Sequence, residues 1–148
     1  MKEKILEAFS NLGFKLEKEN TSGSYTFSYE DLNLMYMYSE DDEDFLSISL
    51  PGIIELKDYD PWQIYTLLDK INSTLKYVKA YILGNYIWLF YERELFGDET
   101  ENLMMTISRM IQHLEAGLIF SRRAMAEMES SKPFDDKSPD ETDDLGEE

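Results

Sequence analysis

The stretch Tyr77-Val78-Lys79-Ala80-Tyr81-Ile82-Leu83-Gly84-Asn85-Tyr86-Ile87-Trp88-Leu89-Phe90-Tyr91-Glu92-Arg93-Glu94-Leu95 decides the fold. Gly-Asn between two apolar runs is a strong signal for a two-residue hairpin turn. The runs read as antiparallel strands over residues 77–83 and 86–95. The second strand is unusual. Tyr86, Trp88 and Phe90 share one face while Ile87, Leu89 and Tyr91 share the other, so both faces are apolar or aromatic. An antiparallel strand with one wet face alternates instead. Either helices cover both faces, or one face is a binding patch or subunit interface. The expectation is sandwiching or oligomerisation rather than an open patch. Trp62, Met35 and Met37 raise the same question, since Met and aromatic side chains suit both cores and adaptable binding surfaces.

Upstream of the hairpin, Asp60 suits a helix N-cap and Pro61 the first helical position. Ile64, Leu67, Leu68, Ile71 and Leu75 then recur at helical spacing. Downstream, a long helix is expected from about Asp98 to Met128, with Leu103, Ile107, Met110, Leu114, Leu118 and Met125 on one face. Further back, residues 14–18, 25–29, 32–38 and 45–50 alternate as strands do. Leu32, Leu34, Tyr36 and Tyr38 oppose Asn33, Met35 and Met37, and Leu46, Ile48 and Leu50 oppose Ser47 and Ser49. Pro51-Gly52 is expected to end that segment. Short connections between these strands imply an antiparallel meander. Residues 2–12 form a first helix through Ile5, Leu6, Phe9 and Leu12, with Gly13 as its stop. The expected fold is α+β in the order α-β-β-β-β-α-β-β-α, an antiparallel sheet with helices packed on it.

Residues 129–148 change character, with nine acidic residues, two Lys, two Pro and only Phe134 and Leu145 as large apolar side chains. Such a segment buries too little surface to offset its ordering entropy. The expected organisation is one α+β domain over residues 1–128 and a disordered acidic tail over 129–148.

Composition excludes several activities. The 148 residues contain no Cys, which removes disulfides, thiolate catalysis and zinc-finger sites and suits a reducing cytosol. The net charge is −17, which repels nucleic acid and anionic membrane surfaces. No secretory h-region opens the chain, and its longest apolar run is far short of the roughly 20 residues that span a bilayer. A cytoplasmic location is expected.

The residues that carry chemistry form no recognisable centre. His113 is the single histidine, so neither a Ser-His-Asp triad nor a His-rich metal site can be assembled. Glu40-Asp41-Asp42-Glu43-Asp44 concentrates carboxylates but lacks the alternation, the Gly and the closing Glu of a calcium loop. Glu92 and Glu94 share a strand face, as acid–base pairs do. Ion pairing of Glu92 or Glu94 with Arg93 or a cross-strand Lys79 is the better reading. The glycines stand singly and make no nucleotide-binding loop. No catalytic, metal or cofactor-binding residue is expected.

Residues 67–120 bring together a helix ending in Ile71-Asn72, a Lys79-Ala80 strand, the Gly84 turn, the aromatic strand and a closing helix. This sequence of elements resembles the YbjN-like sensory transduction regulators, a family similar in fold to the chaperones of bacterial type III secretion. A longer closing helix and the acidic tail set this chain apart from it. The resemblance implies a helix–sheet–helix unit that commonly pairs into dimers. It also implies a non-enzymatic role, since those chaperones are small and acidic and hold unfolded segments of partner proteins. The expected function is therefore a protein-interaction module, chaperone-like or regulatory, that binds a partner protein as a homodimer. Tyr86, Trp88 and Phe90 are its candidate contacts, because aromatic anchors dominate interface energies. A small-molecule sensor with a tyrosine-lined apolar pocket is the alternative, and an enzyme using Asp or Glu the least favoured reading.

Overall fold

A computed structural model describes residues 1–20 and 23–137 of the chain. The elements are α1 (Lys2–Asn11), β1 (Glu17–Lys18), β2 (Ser24–Tyr29), β3 (Leu32–Met37), β4 (Phe45–Glu55), α2 (Pro61–Thr74), β5 (Val78–Leu83), β6 (Tyr86–Glu94) and α3 (Leu103–Lys137). This α+β order is the one expected from the sequence. Every strand pairing is antiparallel, in the order β1-β2-β3-β4-β6-β5. Among the described residues no helix is long and apolar enough to cross a membrane.

The alternation of the strands assigns their faces. In β4, Leu46, Ile48 and Leu50 are buried on the side that also carries Leu34 and Tyr36 of β3, Phe27 of β2, and Ile87 and Leu89 of β6. The helices pack on this side. Phe9 of α1 meets the rings of Phe27 and Tyr36 at 4.9 and 5.5 Å. The α2 helix opens on Asp60, whose backbone N–H donates to Gln63 Oε1 at 2.9 Å, and lays Ile64, Leu67 and Ile71 into the core. Near its end Asn72 clamps the sheet edge. Its Nδ2 donates to Ala80 O at 2.9 Å, and Ala80 N donates to Asn72 Oδ1 at 2.7 Å. The α3 helix comes close to the sheet at Gly117, where an added Cβ would lie 3.3 Å from Val78 Cγ1 and 3.5 Å from Leu89 Cδ1.

Four expectations about the elements change. The first strand is expected over residues 14–18, but only Glu17 and Lys18 pair with β2. Phe14 instead closes the end of α1, its N–H donating to Phe9 O at 3.1 Å. Pro51-Gly52 does not end β4, which runs on to Glu55 through a register shift between Leu50 and Ile54. Beyond Ser49 the β3 ladder has already ended, so Pro51, which has no N–H to donate, removes no bond from that side. Gly52 takes φ 58° there and lies under the Tyr86 ring, where an added Cβ would sit 3.4 Å from the ring edge. The third helix is preceded by a 3₁₀ segment over Gly97–Asn102 and begins at Leu103. It also continues past Met128 to Lys137; Ala126, Glu127, Met128 and Glu129 are good or tolerable helix formers that carry it beyond the expected end. Residues 138–148 of the expected tail lie outside the described residues.

One core position is imperfect. Tyr36 is fully buried, yet its hydroxyl finds no hydrogen-bond partner among the described residues. Burial pushes that hydroxyl well above the ordinary tyrosine range, and neighbouring Tyr38 and Tyr25 add to the rise.

Candidate functional site

The helices all lie on one side of the sheet, so of the two expected covers for β6, sandwiching or oligomerisation, the first is corrected: one face carries none of the described helices. The hairpin fixes what stands there. Its two-residue turn pairs Leu83 with Tyr86, Tyr81 with Trp88, and Lys79 with Phe90. On the other side of β6, Phe90 faces Ser49 and Glu92 faces Ser47, while β3 adds Met35 opposite Ser49 and Met37 opposite Ser47. The outer face therefore runs from Lys79, Tyr81 and Leu83 across Tyr86, Trp88 and Phe90 to Met35 and Met37.

Its geometry is a stack of flat rings. Tyr81 lies parallel to Phe90 with centroids 4.2 Å apart and 1° between planes. Trp88 lies nearly parallel to Phe90 at 5.9 Å and 13°. Phe90 is only 1% exposed although no helix covers it, because its neighbours in the same layer close over it. Trp88 is half-buried, and Tyr81 and Tyr86 are each 39% exposed. The three candidate contacts thus share one face but differ in reach. Tyr86 and Trp88 present surface, whereas Phe90 is the floor they stand on.

Polar groups border the aromatic strip. Lys79 Nζ lies 2.8 Å from Glu92 Oε1, and Ser47 Oγ donates to Glu92 Oε2 at 3.0 Å. The hydrogen bond to Glu92 holds the Lys79 ammonium above its ordinary range, against a smaller opposing effect of burial. Burial likewise raises the Tyr81 hydroxyl, helped by Glu92 and opposed by Lys79. Glu92 is therefore an ion-pair partner, held by a salt bridge and a hydroxyl. Ser47 and Ser49 are buried beneath this face; the Ser49 hydroxyl lies 3.9 Å from Met37 Sδ.

The other sequence candidates lie elsewhere. His113 sits on α3, on the helix side of the sheet, against Tyr77 and Tyr91. The 40–44 carboxylates form an exposed connection before β4, in which Glu43 lies 4.0 Å from the N-terminal ammonium. Among the described residues no group of three His, Asp or Glu side chains is placed to hold a metal ion. Trp62 projects from the first turn of α2 and is exposed. Tyr81 was missed from the sequence, yet the turn length alone places it opposite Trp88.

Together these features define the class: an antiparallel α+β protein with helices on one sheet face and an aromatic, methionine-bearing strip on the other. No family model matches the chain, and no curated protein matches it. A solved structure of an uncharacterized protein from Methanothermobacter thermautotrophicus is similar to it, with a TM-score of 0.53 over 84% of this chain and 98% of that one. The two share 12% sequence identity, so the likeness concerns the fold alone.

Proposed function

We propose that the chain is a non-enzymatic protein-interaction module, chaperone-like or regulatory, that pairs as a homodimer and engages a partner protein through the outer sheet face. The observation that carries this reading is the helix-free aromatic strip of Tyr81, Tyr86 and Trp88 standing on buried Phe90. Rigid, half-buried aromatic rings bind with little loss of side-chain entropy and suit interface anchors. Met35 and Met37 beside them add an adaptable margin. By strand spacing and rise, four strands of this length cover roughly 500 Å², somewhat less than one side of a standard interface, about 800 Å². The resemblance to the YbjN-like regulators, a family similar in fold to the secretion chaperones, points the same way, as does the net charge of −17, which favours basic partner segments.

The test is the mass in solution together with capture from extracts of the native cells. Wild-type chain alone should run at twice its 17.4 kDa mass by light scattering, and from extracts it should retain a stoichiometric partner. Trp88→Ala should weaken partner capture while keeping its circular dichroism. A wild-type monomer that retains no stoichiometric companion overturns the reading. Collapse of the Trp88→Ala fold places Trp88 in the structural core and does so as well.

A further inference from the structure

The connection from α2 into β5 contains a strained turn. Val78 N donates to Lys76 O at 2.8 Å, and Tyr77 between them takes φ 71°. A non-glycine residue at the centre of such a turn is rare, and the surroundings must hold it there. What the turn delivers is a ring. Tyr77 lies parallel to Tyr91, with centroids 5.8 Å apart and 9° between planes. Both rings meet the His113 imidazole, at 5.1 and 5.9 Å. Arg109 precedes His113 by one turn of α3, and Arg93 follows Tyr91 on the same face of β6. With Met105 and Thr106 these residues line a cleft of about 280 Å³.

The charge of this cleft is opposite to that of the molecule. Two of the four arginines and the single histidine gather here in a chain of net charge −17. Among the described residues that line it there is no carboxylate; its titratable and charged groups are Tyr77, Tyr91, Arg93, Arg109 and His113. Arg93 is engaged, its Nε donating to Glu94 O at 3.3 Å. Arg109 forms no ion pair with any described residue. Distance decides which charges govern a bound ion. At physiological salt, exposed charges beyond about 8 Å are largely screened, whereas a guanidinium in direct contact makes short, charge-assisted hydrogen bonds. A guanidinium in direct contact therefore outweighs exposed carboxylates that do not line the cleft. The volume is at the small end of ligand pockets, about 300 Å³.

We infer that this cleft binds a small oxyanion, the phosphate or carboxylate end of a small metabolite, with Arg109 as charged anchor, His113 as second donor and the Tyr77–Tyr91 stack as its wall. Burial raises the Tyr91 hydroxyl above its ordinary range, against the effect of Arg93, so that ring stays neutral beside the anion. The site lies on the helix side of the sheet, apart from the outer face, and stands whether or not that face engages a partner.

The single histidine makes the test direct, since its imidazole gives one assignable set of NMR signals. The full chain is titrated with inorganic phosphate, and separately with acetate, at fixed pH and a constant ionic strength of about 0.15 M. A saturating shift of the His113 signals is expected with at least one of them, and the tighter of the two names the headgroup chemistry. Arg109→Gln should weaken it about tenfold or more, as loss of one charged hydrogen bond does. Arg109→Lys should recover part of the affinity, and both variants should keep the wild-type circular dichroism. Shifts that stay linear with both anions, or saturation unchanged in Arg109→Gln, overturn the inference.

Discussion

The two faces of one sheet differ in how they hide apolar surface. On the helix side, Ile87, Leu89 and Ile48 are shut away by side chains from other elements, α3 above all, and all three are fully buried. On the outer side Phe90 is almost as hidden, yet what covers it comes from its own layer, chiefly Tyr81 and Trp88. The first kind of burial binds distant parts of the chain together. The second ties a residue only to its strand neighbours and leaves the covering rings themselves half in water. Apolar character on both faces of a strand thus does not mean two cores.

The largest expected effect tests the helix face. Leu89→Ala removes a fully buried side chain that packs on Gly117 and should cost about 3 kcal/mol in urea unfolding. Trp88→Ala, one residue earlier on the half-exposed face, should cost only about 1–2 kcal/mol while weakening partner capture. Equal costs for the two would erase the distinction between the faces. They would make the aromatic strip a second structural core.

A smaller effect of opposite sign comes from Tyr36 on the helix face. Its buried hydroxyl lacks a partner among the described residues, and an unmatched buried polar group costs about 1–3 kcal/mol. Tyr36→Phe keeps the ring against Phe9 and should stabilise the protein by about 1 kcal/mol. The same variant should blunt alkaline unfolding. Tyr29, Tyr36, Tyr38, Tyr59, Tyr81 and Tyr91 all titrate above the unfolded value of 10.0. Below pH 10 these hydroxyls stay protonated in both states and stability is level. Above it the unfolded chain releases protons that the folded chain still holds, so stability falls as pH rises. Thermal melts from pH 8 to 11.5 should decline past pH 10 in wild type and less steeply in Tyr36→Phe. An unchanged slope would mean that Tyr36 reaches solvent or a hydrogen-bond partner.

Much of this arrangement was legible in the residues, and three of the failures share a cause. The Gly84-Asn85 turn and the alternation of residues 45–50 specify local geometry, and at these two places it matches the structure. The Leu46, Ile48, Leu50 face and the α3 stripe from Leu103 to Met125 lie in the core as their periods demand. Which side of β6 receives the helices is a different question. It depends on where α2 and α3 cross the sheet, set by contacts such as Asn72 with Ala80 and Gly117 with Val78, which no period encodes. The Pro51-Gly52 stop failed for a related reason. Proline breaks a strand only where a neighbour needs its N–H, and the end of the β3 ladder at Ser49 is a property of the assembled sheet. The cleft at His113 was invisible because Tyr77, Tyr91 and Arg109 meet only after a strained turn and a hairpin have been folded against α3.

The smallest effect lies at the margin of the outer face. The Lys79–Glu92 pair is short, at 2.8 Å, but the Lys79 side chain remains 55% exposed, and exposed pairs are worth about 0.2–1 kcal/mol. Lys79→Ala should therefore cost no more than about 0.5 kcal/mol in urea unfolding at neutral pH and less at high salt. The raised titration of Lys79 sets the window for this contribution. It is present below the unfolded lysine value of 10.5 and is lost as pH climbs through the higher folded value, when the ammonium gives up its proton. A cost well above 1 kcal/mol would mean that water is excluded from the pair. On a sheet face without helices that exclusion has to come from a second molecule, so the result would point to a covered outer face in the protein as measured. A cost near zero together with loss of assembly would separate the pair's role in contact from any role in stability, because Lys79 stands opposite Phe90 and beside the rings of Tyr81 and Trp88.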